Sequence, residues 1–280
     1  MNGAETIPAR IIQTAKSHNL PLMAKASAAN LQCLNADFEY LFFDDEAVNN
    51  FINQEFSQYR AIFDRFPYRI QRFDFFRYLA VFHYGGFYFD LDVFLANAIR
   101  GLLGAGCVFP FEELTLNRFL RSHFGMDWEI GNYAFGAAQR HPFMEAVIEN
   151  CVRAQKDPAW VKPMMAGIPS LFRSEFEVLN TTGPGLLSRT FAENPDLAAR
   201  TTILFPDDVR NPENWHQFGK YGVHMMEGSW RSRGGFLCRR LARLWESWTR
   251  KQLMKESIEL GPTRVVPHHN LNRGLAPAQS

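Results

Sequence analysis

The stretch from Arg69 to Leu95 constrains the fold more than any other part of the chain. Residues 69–84 are rich in aromatics, show helical apolar spacing and carry Asp74 and Arg77 three residues apart. On a helix that spacing puts Asp74 and Arg77 on one face with Tyr78 and Val81. Gly85-Gly86 follows, a pair that permits a helix stop, a positive φ or a close ligand approach. The chain then reads Phe87, Tyr88, Phe89, Asp90, Leu91, Asp92 and Val93. As a strand it points Phe87, Phe89, Leu91 and Val93 into a core and Tyr88, Asp90 and Asp92 the other way. Two carboxylates about 7 Å apart on one strand face repel each other and lose solvation. A hard divalent cation relieves this, and Mg2+-type sites combine one or two carboxylates with phosphate oxygens. Arg77 suits phosphate, and Asp74 can accept hydrogen bonds from ligand hydroxyls. The plainer alternative is a solvated strand end beside a surface Asp–Arg pair.

Around this stretch the pattern alternates between strand and helix. Ile7–Thr14 reads as a strand, 18–34 as helical in its later half, Phe38–Phe43 as a strand, and 46–56 and 66–84 as helices. This is the α/β rhythm of a mostly parallel sheet, in which ligands sit at the carboxyl ends of strands. Asp44, Asp45, Asp90 and Asp92 fall at such ends. Further strands are expected at Cys107–Phe109, Ile130–Gly136 and Thr201–Phe205. His141-Pro142 opens a helix to about Gln155, and the Thr181 and Thr182 hydroxyls are expected to cap a helix ending at Phe191. Trp215–Trp230 reads as a functional loop. Phe236–Met254 reads as a basic amphipathic helix, and the chain from Gly261 as a frayed tail. One domain is expected over 1–260, with a flexible tail over 261–280.

Composition narrows the function. With 280 residues, 46% of them hydrophobic and 21% charged, the chain can bury a substantial core. A net charge of +1 argues against nucleic-acid binding by bulk charge. Cys33, Cys107, Cys151 and Cys238 have no zinc spacing and read as buried thiols of a reducing compartment. No signal-like start and no run of about 18 apolar residues is seen, so a cytoplasmic location is expected. The basic helix 236–254 offers a peripheral contact with the inner face of a membrane. His83 reads as structural, and Glu112-Glu113 and Asp207-Asp208 as solvated acids.

Asp74-x-x-Arg77-Tyr78 followed by Gly85-Gly86-x-Tyr88-x-Asp90-x-Asp92 resembles glycosyltransferase family 32, whose members carry a DXD sugar-binding region. That family includes yeast initiating mannosyltransferases and bacterial capsule glycosyltransferases; the clostridial glucosylating toxins are more distant relatives. Ile7-Pro8 with Ile11, Gln13 and Thr14 resembles its opening strand. Asn132 with Gly136 and His141-Pro142-Phe143 resembles its middle block. Thr182-Gly183-Pro184-Gly185 and His224 with Gly228-Ser229-Trp230 resemble its closing segments. The likeness runs from Ile7 to Trp230. Where the family carries a His and a Trp around the Gln and Thr, this chain has Ile12 and Ala15.

The resemblance implies a GT-A fold: an α/β nucleotide-sugar-binding sheet flanked by helices, here with extra C-terminal helices. It implies metal-dependent, retaining transfer of a hexose or HexNAc from a nucleotide sugar to a polysaccharide, glycolipid or other acceptor hydroxyl. The donor is expected to be a UDP-sugar, with GDP-mannose the alternative, and the metal Mn2+ or Mg2+. By motif match Asp92, Asp90 and His224 would hold the metal, and Asp90, Asp74 and Arg77 would serve catalysis. Gln13, Thr14, Asp74, Arg77, Tyr78, Gly86, Tyr88, Asp90, Asn132, Ser229 and Trp230 would contact the donor.

Two other readings compete. Phe89-Asp90-Leu91-Asp92 also resembles the start of haloacid-dehalogenase phosphatases, in which the first Asp is the nucleophile, although Phe94 stands where that pattern wants Thr or Val. The chain could also be a non-catalytic sugar-binding protein that kept the fold.

Overall fold

In the computed structural model the strand after Gly85 lies in the middle of a mixed sheet. The structure describes residues 6–226, isolated later positions and the backbone of 265–267. The strands are β1 (Arg10–Thr14), β2 (Glu39–Phe43), β3 (Gly86–Phe89), β4 (Val93–Leu95), β5 (Cys107–Leu114), β6 (Trp128–Ile130), β7 (Ala134–Ala137), β8 (Thr202–Phe205), β9 (Gln217–Phe218), β10 (Gly222–His224) and β11 (Val265–Pro267). The main sheet runs β11-β8-β5-β7-β3-β1-β2, with β6 added to β5, and β4-β10-β9 form a second, small sheet.

The helices are α1 (Leu22–Leu34), α2 (Asp45–Glu55), α3 (Arg60–Arg65), α4 (Arg69–Tyr84), α5 (Arg118–Phe124), α6 (Pro142–Lys156), α7 (Pro158–Val161), α8 (Arg173–Thr181), α9 (Pro184–Glu193) and α10 (Pro195–Ala198). Asp44 caps α2 by accepting the Ala47 N–H, so this acid at a strand end serves a helix. His141 caps α6 and Pro142 occupies its first turn, as the sequence suggests.

Four expectations about local structure change. The sheet is mixed: β1 pairs parallel with β2 and β3, and β8 with β5 and β11, but β7 runs antiparallel to both β3 and β5. Between β5 and β7 the chain doubles back through α5 and β6, and β6 pairs antiparallel with β5. No parallel crossover intervenes, so the returning strand is antiparallel. The Ile130–Gly136 run divides into β6 and β7 around a loop at 131–133. Thr181 and Thr182 do not cap α9, which has no side-chain cap. Thr181 donates to Glu177 O, and Thr182 turns to Asp74.

The fourth change concerns Asp-x-Asp. β3 stops at Phe89, and Asp90–Asp92 form a turn that carries the chain from the large sheet into β4 of the small one. The two acids therefore do not share a strand face. Alternation in β3 still holds: Tyr88 joins one core with Phe76, Phe109 and Phe135, and Phe87 and Phe89 join the other with Ile11, Leu31 and Val93. Each fully buried Phe contributes about 1.5–3 kcal/mol to folding. Gly86 is needed because φ is +106° and an added Cβ would lie 2.8 Å from the Arg10 carbonyl oxygen on β1.

Cys107 and Cys151 are buried free thiols, but Cys33 is exposed, since it sits on the solvent side of α1; Cys238 lies outside the described residues. His83 packs among Phe51, Phe56 and Tyr84, a structural position. Of the helix expected at 236–254, only isolated helical positions are described, including Leu244 and Trp248, both exposed. Among the described residues no helix is long and apolar enough to cross a membrane.

Candidate donor and metal site

Asp74 and Arg77 are only 3% exposed, so they are not a surface pair. Arg77 Nη2 meets Asp74 Oδ1 at 3.1 Å, and Nη1 meets Asp90 Oδ1 at 3.1 Å. The same Nη1 donates to the Asn132 carbonyl at 2.9 Å, and the guanidinium lies 4.7 Å from the Tyr88 ring centre. Asp74 also accepts from Asn132 Nδ2 at 3.2 Å and from the Thr182 hydroxyl at 2.8 Å. Tyr78 accepts from Asn132 at 3.1 Å and donates to the Thr182 carbonyl at 2.7 Å. Tyr88 donates to Asp90 Oδ1 at 2.8 Å. These side chains form one network behind the turn. Asp74 and Arg77 reach its open side through Asp90, whereas the sequence reading had them touch sugar and phosphates directly. The helical spacing was right; how deep that face sits is decided by the 131–133 loop and the end of α8 packed over it.

Charge in the network follows from burial and pairing. Burial raises the Asp74 pKa to about 6, opposed by Arg77, Thr182 and Asn132. Burial also raises Asp90, with Arg77 working against it and Asp92 adding to it. For Arg77, burial disfavours the charge, but Asp90, Tyr88 and Asp74 outweigh it, and the guanidinium stays ionised.

On the open side, Asp90, Asp92 and His224 each offer a ligand atom, all within 4.8 Å of one another. His224 arrives on β10, which pairs His224 with Val93 on β4. Its Nε2 lies 3.2 Å from Asp92 Oδ1, and its ring stacks on Tyr133 at 4.4 Å. Burial draws the His224 pKa down, but the bond to Asp92 and the charges of Asp90 and Glu112 reverse this, and the net shift is upward. Two carboxylates with one imidazole suit Mn2+, which accepts both oxygen and nitrogen ligands. Ligands about 2.1 Å from an octahedral ion lie about 3–4 Å apart, so small side-chain shifts would close the triad on a cation.

The other expected donor residues divide. Gln13 is buried, donates to the Asp90 carbonyl at 3.4 Å and accepts from Tyr40 at 2.7 Å, so it supports the turn. Thr14 donates to Phe43 O and ties β1 to β2, and Gly86 serves strand packing; neither joins the cluster. Ser229 and Trp230 lie outside the described residues. Ile12 is buried in the core.

Four residues at this site escaped the sequence reading in whole or in part. Tyr133 accepts the Asp90 N–H on its carbonyl at 2.7 Å as well as stacking on His224. Thr182 was assigned as a cap. Glu112 is half-buried rather than solvated, and its Oε1 lies 3.4 Å from His216 Nδ1. His216 has a positive φ of 59°, and its carbonyl accepts the His224 N–H at 2.9 Å. Gly131 leaves the space for Glu112 and Tyr133: a Cβ there would meet Glu112 Oε2 at 2.5 Å and the Tyr133 ring at 2.7 Å. Only the position of Tyr133 next to Asn132 signalled any of this. Tyr88 and Arg77 bond the carboxylate oxygens of Asp90 and hold it in place.

Residues 23–109 match the family model described as a glycosyltransferase sugar-binding region containing a DXD motif. The matched residues take in α4, the Gly pair and the Asp90–Asp92 turn. Among the similar proteins, inositol phosphoceramide mannosyltransferase 2 of Schizosaccharomyces pombe is 30% identical over 156 residues, covering 56% of this chain and 41% of that protein. Mannosyl phosphorylinositol ceramide synthase SUR1 of Saccharomyces cerevisiae is 29% identical over 184 residues, covering 66% of this chain and 41% of that protein. The matched part spans about two fifths of each of these relatives. A solved structure titled PaToxG Glycosyltransferase aligns over 97% of this chain and 88% of that one, with a TM-score of 0.48 and 13% identity.

Proposed function

We propose that the chain is a metal-dependent, retaining glycosyltransferase that moves a hexose from a nucleotide sugar to a hydroxyl of a lipid-borne acceptor. The observation that carries this is the convergence of Asp90, Asp92 and His224 on one point, within the DXD region. When bound there, a divalent cation would neutralise charge on the departing nucleoside diphosphate. The protein's part is to hold the ligands. Arg77 keeps Asp90 aimed, Tyr88 fixes one of its oxygens, and Tyr133 sets the plane of the His224 imidazole.

The names of the relatives move the donor from the UDP-sugar expected from sequence towards a mannosyl donor such as GDP-mannose. Those relatives are named for a phosphoinositol ceramide, which supports a glycolipid acceptor. In this reading Asp90 and Asp92 are taken up as metal ligands, which favours attack by the acceptor on the same face as the leaving group. A single catalytic domain over 1–260 and a cytoplasmic, membrane-peripheral location belong to the same proposal.

The test is release of nucleoside diphosphate from GDP-mannose and UDP-hexoses with and without Mn2+. Release with a mannosyl donor, dependent on Mn2+ and abolished in Asp92→Ala, is the expected result. No release from any activated sugar would leave a sugar-binding role instead.

A further inference from the structure

A cleft of about 1080 Å3 opens beside the network that backs the metal triad, lined by residues of α3, α4, α6, α7 and α8. Small-molecule sites occupy roughly 300–1,000 Å3, so this one has room for a ligand. Its position follows from α4. Gln71 lines the cleft, and at 1.5 Å per residue it stands about 9 Å before Arg77 along the helix. β3 reverses the direction of α4 after Gly85 and ends where Asp90 meets Arg77, so Gln71 lies further out in the direction β3 points. The cleft and the triad thus share the edge at which the parallel strands β1 and β3 end, where α/β sheets take their ligands. A seam of hydrogen bonds joins them: Gln71 Nε2 donates to Thr181 Oγ1 at 2.8 Å on the cleft wall, and the next residue, Thr182, donates to Asp74 at 2.8 Å.

The lining carries three cations, Arg65, Lys162 and Arg173, against one acid, Glu177. All three cations are exposed, and none is paired with an acid among the described residues. Acids near them in sequence are committed elsewhere. Asp64 bonds Arg60, the Asp157 carboxylate accepts two N–H groups at the start of α7, and Glu175 lies outside the lining with a partner of its own. Unpaired cations around one cleft suit phosphate, which accepts charge-assisted hydrogen bonds. The remaining polar groups suit hydroxyls. Gln155 gives its amide N–H to the Ile62 carbonyl at 2.8 Å, and its buried Oε1 has no partner among the described residues, an acceptor in need of a donor. Gln71 keeps a second amide hydrogen beyond the one given to Thr181. Inorganic phosphate would fill a small part of this volume; a phosphate on a hydroxyl-rich headgroup uses the whole lining.

We propose that this cleft binds a phosphate-bearing polyol headgroup, with Arg65, Lys162 and Arg173 on the phosphate and Gln71 and Gln155 on its hydroxyls. That this ligand is the sugar acceptor rests on the glycosyl-transfer reading; the binding itself does not.

The test is calorimetric titration of the full chain with myo-inositol 1-phosphate, neutral myo-inositol and inorganic phosphate. Inositol 1-phosphate is expected to bind, more weakly as salt rises, and neutral inositol not to bind. The variant carrying Arg65→Ala, Lys162→Ala and Arg173→Ala is expected to keep the wild-type melting temperature and to bind inositol 1-phosphate about tenfold more weakly or worse. Failure of inositol 1-phosphate to bind would overturn the proposal, as would a variant that binds it as well as the wild type, or equal binding of neutral inositol. Inorganic phosphate binding as tightly as inositol 1-phosphate would overturn the headgroup assignment, since the hydroxyl contacts would then add nothing. Co-sedimentation with phosphatidylcholine vesicles containing phosphatidylinositol gives the source. Pelleting that the triple variant loses marks a lipid headgroup, and binding of inositol 1-phosphate without pelleting marks a free ligand; either supports the cleft. If the wild type hydrolyses no donor but binds inositol 1-phosphate as above, the glycosyl-transfer reading fails and the cleft stands. Mn2+-dependent donor hydrolysis without binding of any phosphate probe sinks the cleft alone.

Discussion

Tyr133 holds both halves of the candidate metal site: its carbonyl accepts the Asp90 N–H at 2.7 Å, and its ring stacks on His224 at 4.4 Å. The Asp90 turn belongs to the large sheet and His224 to the small one. One residue of the 131–133 loop thus sets the spacing between ligands carried by separate sheets.

Removing the Tyr133 ring should loosen His224 without touching a metal ligand. Tyr133→Ala is expected to weaken Mn2+ binding about 10–100-fold, the usual effect of losing a group that orients a ligand. Tyr133→Phe should bind as the wild type does, because the buried hydroxyl has no protein partner among the described residues. Calorimetric titration with Mn2+ checks both. Equal losses in the two variants would mean that the hydroxyl, not the stacked ring, matters.

Asp92→Ala removes a ligand at the open side of the turn. Mn2+ is expected to raise the melting temperature of the wild type and leave that of Asp92→Ala unchanged, and donor hydrolysis should fall at least about 100-fold. Thermal unfolding with and without Mn2+ reads the first effect directly.

Arg77 is the cation shared by Asp74 and Asp90. Arg77→Met would leave buried carboxylates unpaired, and a loss of about 3–5 kcal/mol of stability is expected. Arg77→Lys keeps the charge but not the fork that reaches Asp74, Asp90 and the Asn132 carbonyl together, so stability should recover in part while activity stays low. Urea unfolding and donor hydrolysis of both variants separate the two effects.

Asp74 gives a pH signature. Its pKa is about 6 when folded against an ordinary 3.8. The folded state therefore holds this proton more tightly, and the group favours folding most below about pH 4 and loses that contribution as pH rises through about 6. Urea titrations across this window should show a steeper fall in stability for the wild type than for Asp74→Asn. Parallel curves would mean that Asp74 titrates as an ordinary carboxylate.

Much of this molecule can be read locally. The spacing in 69–84 marks a helix with Asp74 and Arg77 on one face, Gly85 ends it, His141-Pro142 starts another, and Phe87 and Phe89 alternate with Tyr88. Such features depend on residues within one or two turns of each other, so side-chain period and capping chemistry are enough to set them. The grouping of Asp90, Asp92 and His224 was also legible, through the resemblance rather than through spacing, since more than 130 residues separate His224 from the two acids.

Other features depend on what packs against what. β7 inserts antiparallel because the returning chain meets β3 from the far side. Asp-x-Asp becomes a turn because Asp90 N–H bonds to Tyr133 rather than to a neighbouring strand. Asp74 and Arg77 become interior because Asn132 and Thr182, from distant segments, close over them. Glu112 reads as a solvated acid until His216 and the space left by Gly131 draw it in. The sequence by itself determined which groups could hold a cation and which helix would stand behind them. The tertiary structure decided which of those groups stay open to a ligand, because burial and hydrogen-bond partners are properties of segments that meet only in the folded chain.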